Sequence, residues 1–268
     1  GSVVVFDTDG NKRMVLEVGA LPDMLTFTPN GRYLLVANEG EPNDEYTDDP
    51  EGSISIINTR NWAVKTAGFK AFNEGGDKSL TGDVRVFGPN ASVAQDLEPE
   101  YIAVSKDSNT AWVALQENNA FAIVDIKEAK VTEVVGLGFK DHSLLNNAMD
   151  ASDKDGEINI QTWPVLGMYQ PDAIASITTV NDETYIVSAN EGDSRDYDGF
   201  SEEVRVKDLD LDPEAYPNAE TLKADEQLGR LKTTTTLGDA DGDGYVEQIY
   251  SYGGRSLSIW NSEGQLVW

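Results

Sequence analysis

One pattern is written three times in this chain, and it limits what the chain can fold into. Each copy opens on a proline beside an acid: Leu21-Pro22-Asp23, Glu98-Pro99-Glu100 and Gln170-Pro171-Asp172. A short apolar run follows, then a polar turn, as in Thr28-Pro29-Asn30-Gly31, then a second apolar run that closes on Asn38-Glu39, Gln116-Glu117 or Asn190-Glu191. The prolines are spaced 77 and 72 residues apart. Such a near-constant spacing implies one supersecondary unit used repeatedly. Both runs of each copy are short, rich in Val, Ile, Tyr and Ala, and bounded by turn-forming residues, so they read as strands joined in a hairpin. Proline is allowed at the first residue of a strand because no ladder hydrogen bond is asked of it there. The opening acid and the closing Glu of a hairpin lie at the same end. If the hairpins are arrayed around an axis, Asp23, Glu100 and Asp172 form part of a ring, with Glu39, Glu117 and Glu191 beside it.

That array defines the expected fold: all-β, a β-propeller with about four blades present and short helical insertions. Propellers close with roughly 4–8 blades, so this chain reads as part of a larger ring. The expected blade portions are 1–20, 21–95, 96–167, 168–236 and 237–268 of a single domain. Gly52-Ser53-Ile54-Ser55-Ile56 echoes Gly1-Ser2-Val3-Val4-Val5, which supports the repeat. A short helix is expected near Asn61 to Phe72, and a helical insertion from about Phe200 to Asp225. Further strands are expected over Leu228 to Thr236, Tyr245 to Tyr252 and Gly254 to Trp260. Gly1-Ser2 directly before a strand reads as a trimmed end, so a signal peptide would already be gone.

Charge narrows the partners. Forty-eight Asp and Glu against 20 Lys and Arg leave a net charge of −28. Phosphate backbones demand a basic face, so nucleic acid is excluded; anionic lipid is disfavoured for the same reason. Clustered carboxylates attract hard cations, although a strongly acidic surface also serves solubility in salt. There is no cysteine, hence no disulfide and no thiolate metal site. No apolar run reaches the roughly 20 residues of a membrane span, so no membrane insertion is expected.

Calcium is the expected cofactor, and three places offer oxygens for it. In Asp239-Ala240-Asp241-Gly242-Asp243-Gly244-Tyr245-Val246-Glu247, acids alternate with small residues, so that Asp239, Asp241, Asp243 and Glu247 can wrap one ion. Asp150, Asp153 and Asp155 form a second candidate loop, weakened by Lys154. The third is the acidic mouth itself, with Glu39, Glu98, Glu100, Asp172, Glu191 and Asp193 as its candidate ligands. Arg195, next to these, can pair with a substrate phosphate or simply neutralise neighbouring acids. The single histidine, His142, lies in the polar stretch Lys140-Asp141-His142-Ser143 and reads as a surface residue, which leaves neither a catalytic triad nor a zinc site.

Several long motifs carry a family resemblance. They are Asn38-Glu39-Gly40-Glu41-Pro42-Asn43-Asp44, Asp153-Lys154-Asp155-Gly156, Asn190-Glu191-Gly192-Asp193-Ser194-Arg195-Asp196-Tyr197, Leu228-Gly229-Arg230-Leu231 and Gly253-Gly254-Arg255-Ser256-Leu257-Ser258-Ile259-Trp260. In this order they resemble the choice-of-anchor I domain family, which includes proteins described as mesenchyme-specific cell surface glycoproteins and as alkaline phosphatases. The resemblance implies a secreted or cell-surface bacterial propeller, seven-bladed when complete. More distantly, the Pro-acid strand openings resemble those of propeller phytases and calcium-dependent propeller alkaline phosphatases.

Two functions follow as expectations. One is a calcium-binding, extracellular or cell-surface module for binding or adhesion, its partner an anionic small molecule or glycan bridged by calcium, or another surface protein. The other is a calcium-dependent phosphoesterase with Glu39, Glu100, Glu191 and Arg195 as catalytic candidates. The scarcity of basic residues near the mouth favours the first.

Overall fold

A computed structural model describes residues 1–268. The chain opens with a two-stranded antiparallel pair, β1 (Ser2–Phe6) and β2 (Lys12–Glu17). A four-stranded antiparallel sheet follows: β3 (Pro22–Phe27), β4 (Tyr33–Asn38), β5 (Ser53–Asn58) and β6 (Val64–Gly68). The next sheet repeats this meander with β7 (Tyr101–Val104), β8 (Thr110–Leu115), β9 (Ala120–Asp125) and β10 (Lys130–Gly136). A short β11 (Phe139–Asp141) and β12 (Val165–Met168) lead away. Then come β13 (Pro171–Thr178) and β14 (Thr184–Asn190), and a long excursion holds β15 (Glu203–Arg205), β16 (Lys232–Thr234) and β17 (Ile249–Ser251). Finally β18 (Ser256–Asn261) returns to pair with β14.

The opening strand of each hairpin is innermost. β3 packs against β7, and β7 against β13. Side chains alternate across each sheet, so the faces between the second and third sheets bury Leu35, Ile54, Ile56, Val113, Ala122 and Val124 in one core. A second core joins the next two sheets through Trp112, Phe121, Ile174, Ile186 and Trp260; the rings of Phe121 and Trp260 meet edge to face at 5.8 Å.

The third hairpin is completed from a distance. Its third strand is β18, so residues 191–255 are an insertion between two adjacent strands, and Ser256–Asn261 does not begin a separate unit as the portion 237–268 implied. The expected strands 228–236 and 245–252 shrink to β16 and β17. These join β11, β12 and β15 in a five-stranded side sheet in which β12 and β17 run parallel. That sheet has its own core of Met149, Trp163, Val206, Leu209, Leu228 and Ile249.

The helices expected from sequence are mostly absent. Residues 61–72 form strand β6 and one 3-10 turn, Lys70–Phe72, because Val64 to Gly68 finds an open edge on β5. The 200–225 insertion has only a 3-10 turn, Val206–Asp208, and one helical turn, Ala219–Leu222. Its apolar residues are spent on the side-sheet core rather than on a helical stripe. No helix is long and apolar enough to cross a membrane.

Candidate functional site

The first and third Pro-acid openings share one local geometry. Leu21 and Gln170 adopt left-handed backbone at φ 44° and 43°. The ladder then slips between Pro22 and Met24, and again between Pro171 and Ala173. Asp23 and Asp172 are thus the bulged residues, and a bulge turns a side chain out of the regular alternation. Both are exposed. Partial desolvation by its neighbours, and then the charge of Asp172, raises the pKa of Asp23, which places the two acids near one another.

The second opening is built differently and lies deeper. Glu98, Glu100 and the closing Glu117 are all buried, at 1%, 8% and 7% exposure. Glu100 and Glu117 crowd one another; burial, and then the Glu117 charge, drives the Glu100 pKa far up. Glu39, half-buried above them, is pushed up to about 8 by burial and by the charges of Glu41, Glu117, Asp23 and Asp193. Acids from all three repeats therefore meet at one mouth. From the third repeat it is Asp193, rather than Glu191, whose charge acts on Glu39 and Glu117.

Two arginines hold this cluster. Arg195 is 1% exposed. Its guanidinium pairs with Asp96, donates to the Asp96 carbonyl at 2.7 Å and to Glu98 Oε2 at 2.8 Å, and lies 4.4 Å from the centre of the Phe87 ring. Arg85 covers the same ring at 4.1 Å, pairs with Glu202 and donates to the Glu117 carbonyl at 2.7 Å. Although burial opposes its charge, Glu98 and Asp96 keep Arg195 firmly cationic. Arg195 is therefore a structural pin with its donors committed, and the expectation that it meets a substrate phosphate is corrected. Arg85, Glu202, Asp96 and Phe87 were not singled out in the sequence. They come from an irregular connection and from the excursion, where no repeat or motif marks them.

The buried carboxyls of Asp96, Glu98 and Glu202 pair with these two guanidiniums, Glu117 feels the charge of Arg195, and Glu100 is buried beside Glu117 and Glu98. Three of their oxygens, Glu98 Oε1, Glu100 Oε1 and Glu117 Oε2, are buried with no hydrogen-bond partner. Nearly all buried polar atoms in proteins are satisfied, so each of these three calls for a positive or donating group.

The other candidates are separate. Asp239, Asp241, Asp243 and Glu247 bring one oxygen each within 4.8 Å of the others, in an exposed loop. In the Asp150 loop, Asp153 is taken up by Arg230, Asp150 Oδ2 accepts the Asn159 N–H at 3.3 Å, and Asp155 caps Glu157. His142 is not on the surface. It is 1% exposed, its Nδ1 lies 2.7 Å from the Asn147 carbonyl, and burial lowers its pKa. The side sheet covers it, which its polar neighbours in sequence concealed. A groove of about 1060 Å³ between the turn ends of the second and third hairpins carries only exposed pairs such as Lys106–Asp182 at 3.6 Å, and no buried ionisable group.

Fanned antiparallel sheets whose innermost strands open onto an acid-lined mouth make this molecule a β-propeller. Its sequence matches the choice-of-anchor I domain across residues 1–268, and the chain belongs to that family of surface-associated domains. No curated protein matches it in sequence. Among solved structures, the dihydro-heme d1 dehydrogenase NirN in complex with DHE is similar at 13% identity and a TM-score of 0.36, over 100% of this chain and 41% of that one. Hydrazine synthase of Kuenenia stuttgartiensis follows at 13% and 0.30, over 93% and 49%. The β-propeller domain of Cps50 (Swd1) from Myceliophteria thermophila matches at 9% and 0.29, over 66% and 38%. The chain thus spans less than half the length of each of these structures.

Proposed function

We propose that this propeller is an extracellular, calcium-binding module for binding or adhesion, with calcium held at the acidic mouth. The observation that carries the reading is the set of unpartnered buried oxygens on Glu98, Glu100 and Glu117. A buried carboxylate without a partner is costly, whereas calcium gathers 6–8 such oxygens in flexible geometry. Glu98, Glu100 and Glu117 would form the floor of the site, with Glu39 and Asp193 above. The ion would supply the positive charge that Arg85 and Arg195 leave unmet, and would present open positions to an anionic small molecule, a glycan or another surface protein. The Asp239 loop is the second place for an ion, its four carboxylate oxygens already gathered.

A phosphoesterase remains as the second reading on one observation. Glu39, with its pKa near 8, stands at the mouth where a general base would operate. Against it, the guanidinium of Arg195 is engaged by Asp96 and Glu98.

The test is thermal unfolding and calorimetric titration in calcium and in EGTA. Calcium at 100 times its dissociation constant should add about 2.7 kcal/mol to stability. Glu100→Gln with Glu117→Gln should remove the mouth's share of that gain, yet leave the chelated protein as stable as the parent or more so. Asp239→Asn with Asp241→Asn should remove only the loop's share. Equal midpoints in calcium and EGTA would end the calcium reading. Calcium-dependent hydrolysis of p-nitrophenyl phosphate that Glu39→Gln abolishes would favour the enzyme.

A further inference from the structure

Beside the mouth, a cleft of about 440 Å³ opens between the Glu191 segment, the strands β15 and β16, and the turn around Arg255. Four of the stretches that carry the family resemblance reach it from distant parts of the chain, through Asp153, through Glu191 to Ser194, through Arg230 and through Arg255. Apart from Asp193, the mouth uses none of these residues.

The charges lining the cleft are unusual for this chain. Acids outnumber bases 48 to 20 overall, yet Arg205, Arg230, Lys232 and Arg255 all line this one cleft. Arg230 is tied to Asp153, and Lys232 to Glu203 at 2.7 Å. The other two guanidiniums have only neutral partners: Arg205 donates to the Arg230 carbonyl at 3.3 Å, and Arg255 to the Asp150 carbonyl at 2.9 Å. Arg255 is also held in left-handed backbone at φ 45°, directly after two glycines. A strained non-glycine residue of this kind persists where the surroundings over-determine it, and such residues cluster at functional sites. Glu191 and Asp193 add exposed carboxylates to the same lining, and Tyr252 adds an aromatic ring.

We infer that this cleft binds an acidic sugar, whose carboxylate or phosphate is gripped by the guanidiniums of Arg205 and Arg255 while its hydroxyls donate to Glu191. A guanidinium presents a planar fork of donors that matches either acid. Ionised carboxylates accept from sugar hydroxyls, and the volume is in the range of small-ligand sites. Nothing in this arrangement calls on the mouth's cation, so the cleft stands or falls apart from the calcium reading.

Calorimetry or saturation-transfer NMR with glucuronate, glucose 6-phosphate and glucose tests it, each in calcium and in EGTA. At least one acidic sugar should bind in both buffers and glucose at least about tenfold more weakly, since a charged hydrogen bond is worth roughly that factor or more; the stronger of the two acids identifies the group recognised. Arg255→Gly suits the local backbone and should keep or raise the thermal midpoint while weakening the acidic sugar about tenfold or more. Arg205→Gln, read in the same way, serves if the glycine variant is less stable. Failure of both acidic sugars to bind, or unchanged binding by these variants, overturns the inference. Binding that disappears in EGTA also overturns it, because the sugar would then sit on the mouth's cation.

Discussion

At the scale of single residues, Arg195 does the most to hold the mouth together. It joins two acids of the second repeat to the end of the third, from inside the protein. Removing one partner of a buried ion pair strands the other as an uncompensated charge, at a cost of about 3–5 kcal/mol. Arg195→Leu should therefore lose that much in denaturant unfolding; a loss below about 1 kcal/mol would mean that Asp96 and Glu98 are reached by solvent. Glu39 makes a prediction of the opposite kind. Its pKa stands at about 8 in the folded protein against an ordinary value of 4.5. The folded form keeps this proton over a range where the unfolded chain has lost it. The stability linked to it is complete below about pH 4.5 and is lost as pH rises through about 8. In calcium-free buffer the unfolding midpoint should fall from about pH 5 to about pH 8, and Glu39→Gln should flatten that decline; identical slopes would show that Glu39 is not buried among acids. Asp23, Glu39, Glu100 and Asp172 could be picked from the repeat because an opening or closing position in a hairpin is a matter of local pattern. That Glu98, Glu100 and Glu117 are the buried ones could not, because desolvation depends on what packs above them.

At the scale of elements, the repeat is a set of cross-strand contacts as much as a sequence rhythm. Asn38 at the end of β4 donates to the side chains of Ser53 and Ser55 on β5, at 3.3 and 2.9 Å. Asn190 at the end of β14 does the same to Ser256 and Ser258 on β18, at 3.0 and 2.8 Å. Beyond each Asn-Glu, a glycine with positive φ crosses close to the glycine that precedes the third strand. Gly40, at φ 75°, faces Gly52, and Gly192, at φ 95°, faces Gly253. A Cβ on Gly192 would collide with the Gly253 backbone. Gly192→Ala should therefore cost about 2 kcal/mol or more, from backbone strain plus the clash. Gly242→Ala, also at positive φ but facing open space, should lose only about 1 kcal/mol. Equal losses in thermal or denaturant unfolding would show that the glycine–glycine crossing is not tight. The matching of Ser53 and Ser55 with Ser256 and Ser258 was half visible in the sequence. Gly52-Ser53-Ile54-Ser55 was seen to recur near the N-terminus, but its partner after Gly254 read as a new unit because more than 60 residues separate it from β14.

At the scale of the whole molecule, two kinds of information divide cleanly. Alternating apolar residues, prolines that open strands and glycines that turn them act over a few residues, so the sequence alone settled the all-β repeat, its hairpins, its Pro-acid openings and its family. The tertiary structure decided how a 65-residue insertion threads between β14 and β18, and that its scattered apolar residues build a side sheet in place of helices. It decided that His142 is buried, that Arg195 is a pin, and that Arg205, Arg230 and Arg255 share a cleft. Those outcomes depend on which distant segments exclude water from one another, and exclusion of water is a property of the packed chain that no short stretch of residues carries by itself.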